Sequence, residues 1–173
     1  FVIGCESGHI FVYLIKNTKT NLSKHVAKLR YDKTPVTSLS IMFGNNEVIS
    51  AILTEFVYLE PINYLKDQND QAHGCTVWEA KFAPLGGYFI TGGADKLAKL
   101  WHKEISNPLR LFVGHILDVH IVRWHPNHHY MATSSQDSMI IIWSVLTGES
   151  IKVLQTKLSL VTALKFSNSG KIL

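Results

Sequence analysis

Two groupings of residues in this chain are of types that could do chemistry. Ser134, Ser135 and Asp137 follow His115 closely in sequence, and together they have the composition of a nucleophile, a general base and an orienting carboxylate. His125, His128 and His129 crowd a short stretch of a chain that has nine histidines, and neutral imidazole is the commonest protein metal ligand. The surroundings argue against both chemistries. A triad needs an exposed nucleophile on a strained elbow and an oxyanion hole, whereas Ser135 is expected to be buried. The three histidines fall in a turn, where side chains diverge into solvent, and no Cys or carboxylate stands at ligand spacing. Gly86-Gly87 and Gly92-Gly93 precede no helix start and match no phosphate loop, so they are read as turn residues. We therefore expect no catalytic residue, no metal and no cofactor.

A different reading of the same residues comes from their repetition. Asp95 and Trp101 recur 42 residues later as Asp137 and Trp143, and the same offset relates His73 to His115, Val77 to Val119, Pro84 to Pro126, Tyr88 to Tyr130 and Thr91 to Thr133. Within one unit, short apolar runs alternate with turn residues: 77–82, 88–91 and 97–101, then 119–124, 130–133 and 139–143, with a further outer strand over 150–154. No helical period competes. A period of about 40 to 45 residues with several short strands is the size of one propeller blade, which makes the unit a small sheet rather than a domain.

Weaker copies flank the two strong ones. One period upstream, Val36, Ile41, Ser50 and Leu59 stand at core positions, but Thr54 replaces the aspartate and Glu60 the tryptophan. Gly4 to Tyr13 reads as a second turn and third strand, and Val161, Leu164 and Phe166 begin another copy. The expected organisation of residues 1–173 is a single propeller portion of about four repeat equivalents. Residues 1–15 end a blade, 16–34 form a polar inter-blade loop, 35–71 a degenerate blade, 72–113 and 114–156 two full blades, and 157–173 start another. Blades cut at both ends and the missing initiator Met lead us to expect part of a larger, seven-bladed ring.

Composition fits a folded, soluble chain, with 46% hydrophobic and 17% charged residues. Phe1 to Ile15 is apolar but lacks a basic leading region and contains Glu6 and His9, so a strand pair is expected and not a membrane anchor. Cys5 and Cys75 are isolated thiols, which points to a reducing compartment. The net charge of +4 is spread among both signs, and Lys96, Lys99, Lys103 and Arg110 read as a solvated face and not as a nucleic-acid site.

The Gly114-His115 pair, Asp137 in the second turn and Trp143 six residues later resemble the WD40 repeat family, with Trp-Ser in place of Trp-Asp. The resemblance implies an all-β, WD40-type β-propeller in which His115, Ser135, Asp137 and Trp143 form a buried hydrogen-bonded tetrad. In the preceding blade His73, Asp95 and Trp101 match, but Gly93 stands at the Ser position, so that network is expected to be incomplete. The stretches Phe82 to Asp95, Pro108 to His115, Asp118-Val119 and His125 to Thr133 are similar to the WD40 TBP-associated factors of TFIID and SAGA. That likeness implies a non-enzymatic nuclear scaffold, docked to other subunits of a multiprotein complex such as histone-fold TBP-associated factors. It implies no direct sequence-specific nucleic-acid binding and no membrane. A histone- or peptide-binding adaptor is the alternative.

A binding surface is suggested around Trp78. Val77, Ala80 and Phe82 all take core positions, and one β-bulge would reconcile their spacing and turn Trp78 toward the rim. There it is either an interaction anchor or ordinary blade packing. His120 holds the equivalent place in the next blade, and Ala94, Gln136 and Asp118 complete the candidate patch.

Overall fold

Short runs of β-branched and aromatic residues, broken every few positions by Gly, Pro, Asp, Asn and Ser, fold here as hairpins that follow one another in chain order. The computed structural model describes residues 2–15, 23–30, 35–41, 48–52, 56–59, 73–84, 86–157 and 161–173. The strands are β1 (Val2–Gly4), β2 (His9–Ile15), β3 (Ser23–Arg30), β4 (Val36–Ile41), β5 (Val48–Ile52), β6 (Phe56–Leu59), β7 (Val77–Phe82), β8 (Tyr88–Gly93), β9 (Ala98–His102), β10 (Ile105–Phe112), β11 (Val119–Trp124), β12 (Tyr130–Ser135), β13 (Met139–Ser144) and β14 (Ser150–Gln155). They form four antiparallel meanders, β1-β2-β3, β4-β5-β6, β7-β8-β9-β10 and β11-β12-β13-β14. No helix occurs among the described residues, and so none is long and apolar enough to cross a membrane. The fold is all-β, built from sheets of the propeller-blade type.

The first strands of successive sheets stand side by side, β1 next to β4, β4 next to β7 and β7 next to β11. β4, β7 and β11 are bulged at the same point, between Val36 and Ser38, Val77 and Glu79, and Val119 and Ile121. The bulge anticipated at Trp78 is thus a repeated device, which lets Val77 and Ala80 both point into the core. The 42-residue period also sets the turns: Ala83 N–H bonds Tyr88 O, His125 N–H bonds Tyr130 O and Ser167 N–H bonds Ile172 O. Lys96 and Ser138, one period apart, and Gly8 in the β1–β2 turn share the left-handed conformation.

Two outer strands depart from expectation. Part of the 16–34 segment, read as a polar loop, is β3, paired along β2 from His9↔Arg30 to Ile15↔Ser23. Residues 105–112, to which no strand was assigned from sequence, are β10, with a register break between Ile105 and Arg110 that accommodates Pro108. An outer strand is wetted on its edge and most of its surface. It therefore shows no clean alternation in sequence, and every residue of β10 up to Leu109 is exposed. Thr54 and Glu60, at the lost marker positions, lie outside the described residues.

Between the last two sheets, Ile90, Ala98, Leu100 and Phe112 interlock with Val119, Val122, Met131, Ile141 and Trp143. Full burial of each large side chain contributes about 1.5–3 kcal/mol. On the other face, Ile121 and Ala132 pack on Leu164 and Phe166. Gly92 was read as a turn residue, yet it is a buried residue of β8, where absence of a side chain is the requirement: a Cβ would meet Val119 O at 2.8 Å and Val122 Cγ1 at 3.0 Å. Gly92→Ala is expected to destabilise the fold by about 1–3 kcal/mol through this backbone clash. Thermal denaturation checks it, and an unchanged melting midpoint would contradict the fit between the sheets.

Candidate functional site

The histidines that might have served catalysis are spent on structure. In the last sheet the indole Nε1–H of Trp143 donates to Thr133 Oγ1 (2.8 Å), Thr133 Oγ1 lies 2.8 Å from His115 Nε2, and His115 Nδ1 lies 2.9 Å from Asp137 Oδ2. The preceding sheet repeats this with Trp101 to Thr91 (2.8 Å), Thr91 to His73 (2.7 Å) and His73 to Asp95 (2.7 Å). One assignment of protons satisfies every group: tryptophan N–H to threonine, threonine O–H to a neutral imidazole Nε2, and imidazole Nδ1–H to the carboxylate. Each aspartate then closes its own turn, Asp95 accepting from Leu97 N–H and Asp137 from Met139 N–H.

The structure corrects the expected tetrad in both sheets. Ser135 is buried, but its hydroxyl donates to Leu117 O (2.9 Å) and accepts from Asp137 N–H (3.2 Å), while Thr133 closes the network. Residues 133 and 135 share a strand face, but only Thr133 lies between the indole of Trp143 and the ring of His115. For the same reason Gly93 leaves no gap. Thr91 completes that network, and the missing side chain at Gly93 makes room for the His73 ring, which a Cβ would strike. The signal was available, since Thr91 and Thr133 repeat at the 42-residue offset.

The two carboxylates are held differently. Asp95 also pairs with Lys99 (2.9 Å), whereas Asp137 takes the backbone N–H of Ile116 (3.0 Å). Burial alone would raise both pKa values. The hydrogen bonds outweigh it, led by His73 for Asp95 and by Ile116 N–H for Asp137, and both lie below the ordinary carboxylate value. Burial lowers the pKa of His73 despite the pull of Asp95. In the β4-β5-β6 sheet, Ser50 occupies the place of Thr91 and is fully buried, yet its hydroxyl finds no partner among the described residues.

The candidate rim residues are brought together in part. The bulge turns Trp78 over the following sheet, where its Nε1–H donates to Asp118 Oδ2 (3.1 Å) and its ring lies on His120 at 4.6 Å. Trp78 is therefore half-buried, with its polar handle already taken. Gln136 is exposed and its N–H bonds Asp118 O (3.2 Å). Ala94 makes the equivalent bond to Thr76 O (2.9 Å), which puts it one period back on the same rim. Below the rim, Glu79 pairs with Arg123 and accepts from Val122 N–H (2.9 Å). Sequence offered no sign of this pair, because it joins positions that are not equivalent in the repeat.

The histidine turn has its own fixed geometry. His125 bonds Asn127 Oδ1 (2.6 Å) and Gly170 O (3.0 Å), while His129 N–H bonds Asn127 Oδ1 (3.0 Å). Among the described residues no three His, Cys, Asp or Glu side chains are grouped to hold a metal ion.

These networks lead to two expectations. Thr133→Val and Asp137→Ala each strand buried donors and should cost about 1–3 kcal/mol, whereas Ser50→Ala should be near neutral; equal losses in a melting series would contradict the relay. Because His73 binds its proton less readily folded than unfolded, stability should fall as pH drops below about 6.5, the ordinary imidazole value. Asp95 and Asp137 add stability that is present above about 3.9 and is lost as pH falls through their lower folded values. Denaturant midpoints that rise on acidification from pH 7 would contradict this.

Comparison with known proteins agrees with the repeat. The family model described as WD domain, G-beta repeat matches residues 66–102 and 106–144. The chain is 36% identical over 95 residues, 55% of its length, to Transcription initiation factor TFIID subunit 5 of Caenorhabditis elegans. It is 32% identical over 108 residues, 60% of its length, to WD repeat-containing protein VIP3 of Arabidopsis thaliana, and 24% identical over 174 residues, 82% of its length, to a subunit of Chromatin assembly factor 1 of Gallus gallus. It spans only 15%, 34% and 31% of those three proteins. With both strong repeats matched and a Trp–Thr–His–Asp relay in each, the chain carries WD40 repeats.

Proposed function

We propose that this chain is a non-catalytic WD40 scaffold of a nuclear transcription complex of the TFIID or SAGA kind, where it docks other protein subunits, histone-fold TBP-associated factors among them. The similarity to TFIID subunit 5 is the observation that carries the reading. The chemistry of the site supports it. Both buried histidines are engaged on each side, and the serine beside one of them is buried against Leu117, so neither is offered to a substrate. Stiff sheets that present loops at fixed positions suit multivalent protein contacts. Trp78, Ala94, Asp118, His120 and Gln136 are the rim surface proposed for one such contact.

Affinity purification of the tagged full-length protein from nuclear extract, followed by mass spectrometry, tests this. A stoichiometric complex containing histone-fold subunits is expected, and Gln136→Arg or Trp78→Ala should reduce one partner about fivefold. Recovery of the protein alone, or of a set without those subunits, would overturn the reading. A chromatin-assembly adaptor is the second reading, favoured by the 82% coverage in the match to the Chromatin assembly factor 1 protein. Recovery of histones in place of transcription subunits would select it.

A further inference from the structure

The last two sheets lie face to face, and their packing stops short of their outer strands. In the β9–β10 register Arg110 stands opposite Leu100 and Phe112 opposite Ala98, so Arg110 shares the face that meets the next sheet. In the β13–β14 register Val153 stands opposite Ile141, which continues the facing wall beyond Ile141 and Trp143. Phe112 meets the Trp143 ring edge-on at 5.6 Å and closes the bottom of the seam between these walls. Outside that contact the surface stays apolar without cover: Val153 is 51% exposed and Ile151 in the β14 bulge 55%.

One charged group stands in the seam. Arg110 donates from one terminal nitrogen to Thr147 O (2.5 Å), and a side chain on Gly148 would run into its Cδ at 2.9 Å, so the guanidinium is held at the wall. Five N–H donors leave it several to offer, and no carboxylate is paired with it among the described residues. The charged residues of β10 and β14 are Arg110 and Lys152, which are equivalent through the repeat, and neither strand contains an acid; Glu149 stands outside, in the preceding turn. A contiguous exposed apolar surface of this kind marks an interaction site, and its charge selects the partner.

We propose that the outer seam between β10 and β14 docks an acidic, apolar segment of a partner protein, with its apolar side chains on Ile151 and Val153 and a carboxylate on Arg110. The seam lies on the flank of the sheets, away from the Trp78 rim, so it does not depend on that reading. Retained seam binding in Gln136→Arg separates the two.

Fluorescence anisotropy of the intact chain with short labelled peptides tests the proposal, one alternating leucine with glutamate and the other leucine with lysine. The glutamate peptide should bind about tenfold more tightly than the lysine peptide, the preference should invert in Arg110→Glu, and binding should fall about tenfold in Val153→Ser, which removes apolar surface without adding a charge beside Arg110. Circular dichroism confirms that the variants fold. Equal binding of the two peptides, no binding of either, or binding unchanged in both variants would overturn it. So would concentration-dependent self-association, measured by sedimentation, that is lost in Val153→Ser, since the seam would then belong to a second copy.

Discussion

A buried indole N–H must find an acceptor, and in each full blade that requirement organises the surroundings. The threonine that accepts it has a hydroxyl proton to place, the imidazole that takes this proton has one of its own, and the carboxylate at the end also binds the backbone of a tight turn. The chain of donors ties the connection that enters a sheet to its second strand, its second turn and its third strand. If any member is removed, a polar group is left buried without a partner, which is costlier than never having buried it.

The β4-β5-β6 sheet shows what remains when that chain of donors decays. Ser50 keeps the position of the threonine and its complete burial, while its hydroxyl has no partner among the described residues. The sheet keeps its antiparallel pairing and its bulge, the backbone features of the two strong blades. The relay adds a fixed relation between turns and strands. This matters for a scaffold, because a docking surface assembled from turns is only as well defined as the turns themselves.

Contacts between blades are of another kind and follow the repeat step. Trp78 reaches Asp118, Trp124 reaches Lys81 O (3.0 Å), Thr37 reaches Val77 O (2.7 Å) and Arg123 reaches Leu164 O (2.8 Å), each about one period away in sequence. Side chains of one inner strand thus bond the neighbouring unit, Trp78 through a carboxylate and the other three through backbone carbonyls, and apolar residues fill the space between the last two sheets. The polar ends of Trp78 and Trp124 serve assembly first, and only the uncovered part of the Trp78 ring is left for a partner.

The period, the all-β class, the inner and middle strands of the two strong blades and the expected bulge beneath Trp78 are legible in the residues alone. These follow from spacing, because His, Asp and Trp recur at a fixed offset and core residues alternate between turns. Which hydroxyl closes each relay depends on packing, since Thr133 and Ser135 share a strand face and differ in their distance from an indole on the next strand. The packed structure also reveals β3, β10, whose exposed surface leaves no hydrophobic pattern, and the seam between β10 and β14. Its two walls are 43 residues apart in the chain, at Arg110 and Val153, and become one surface only when the sheets pack.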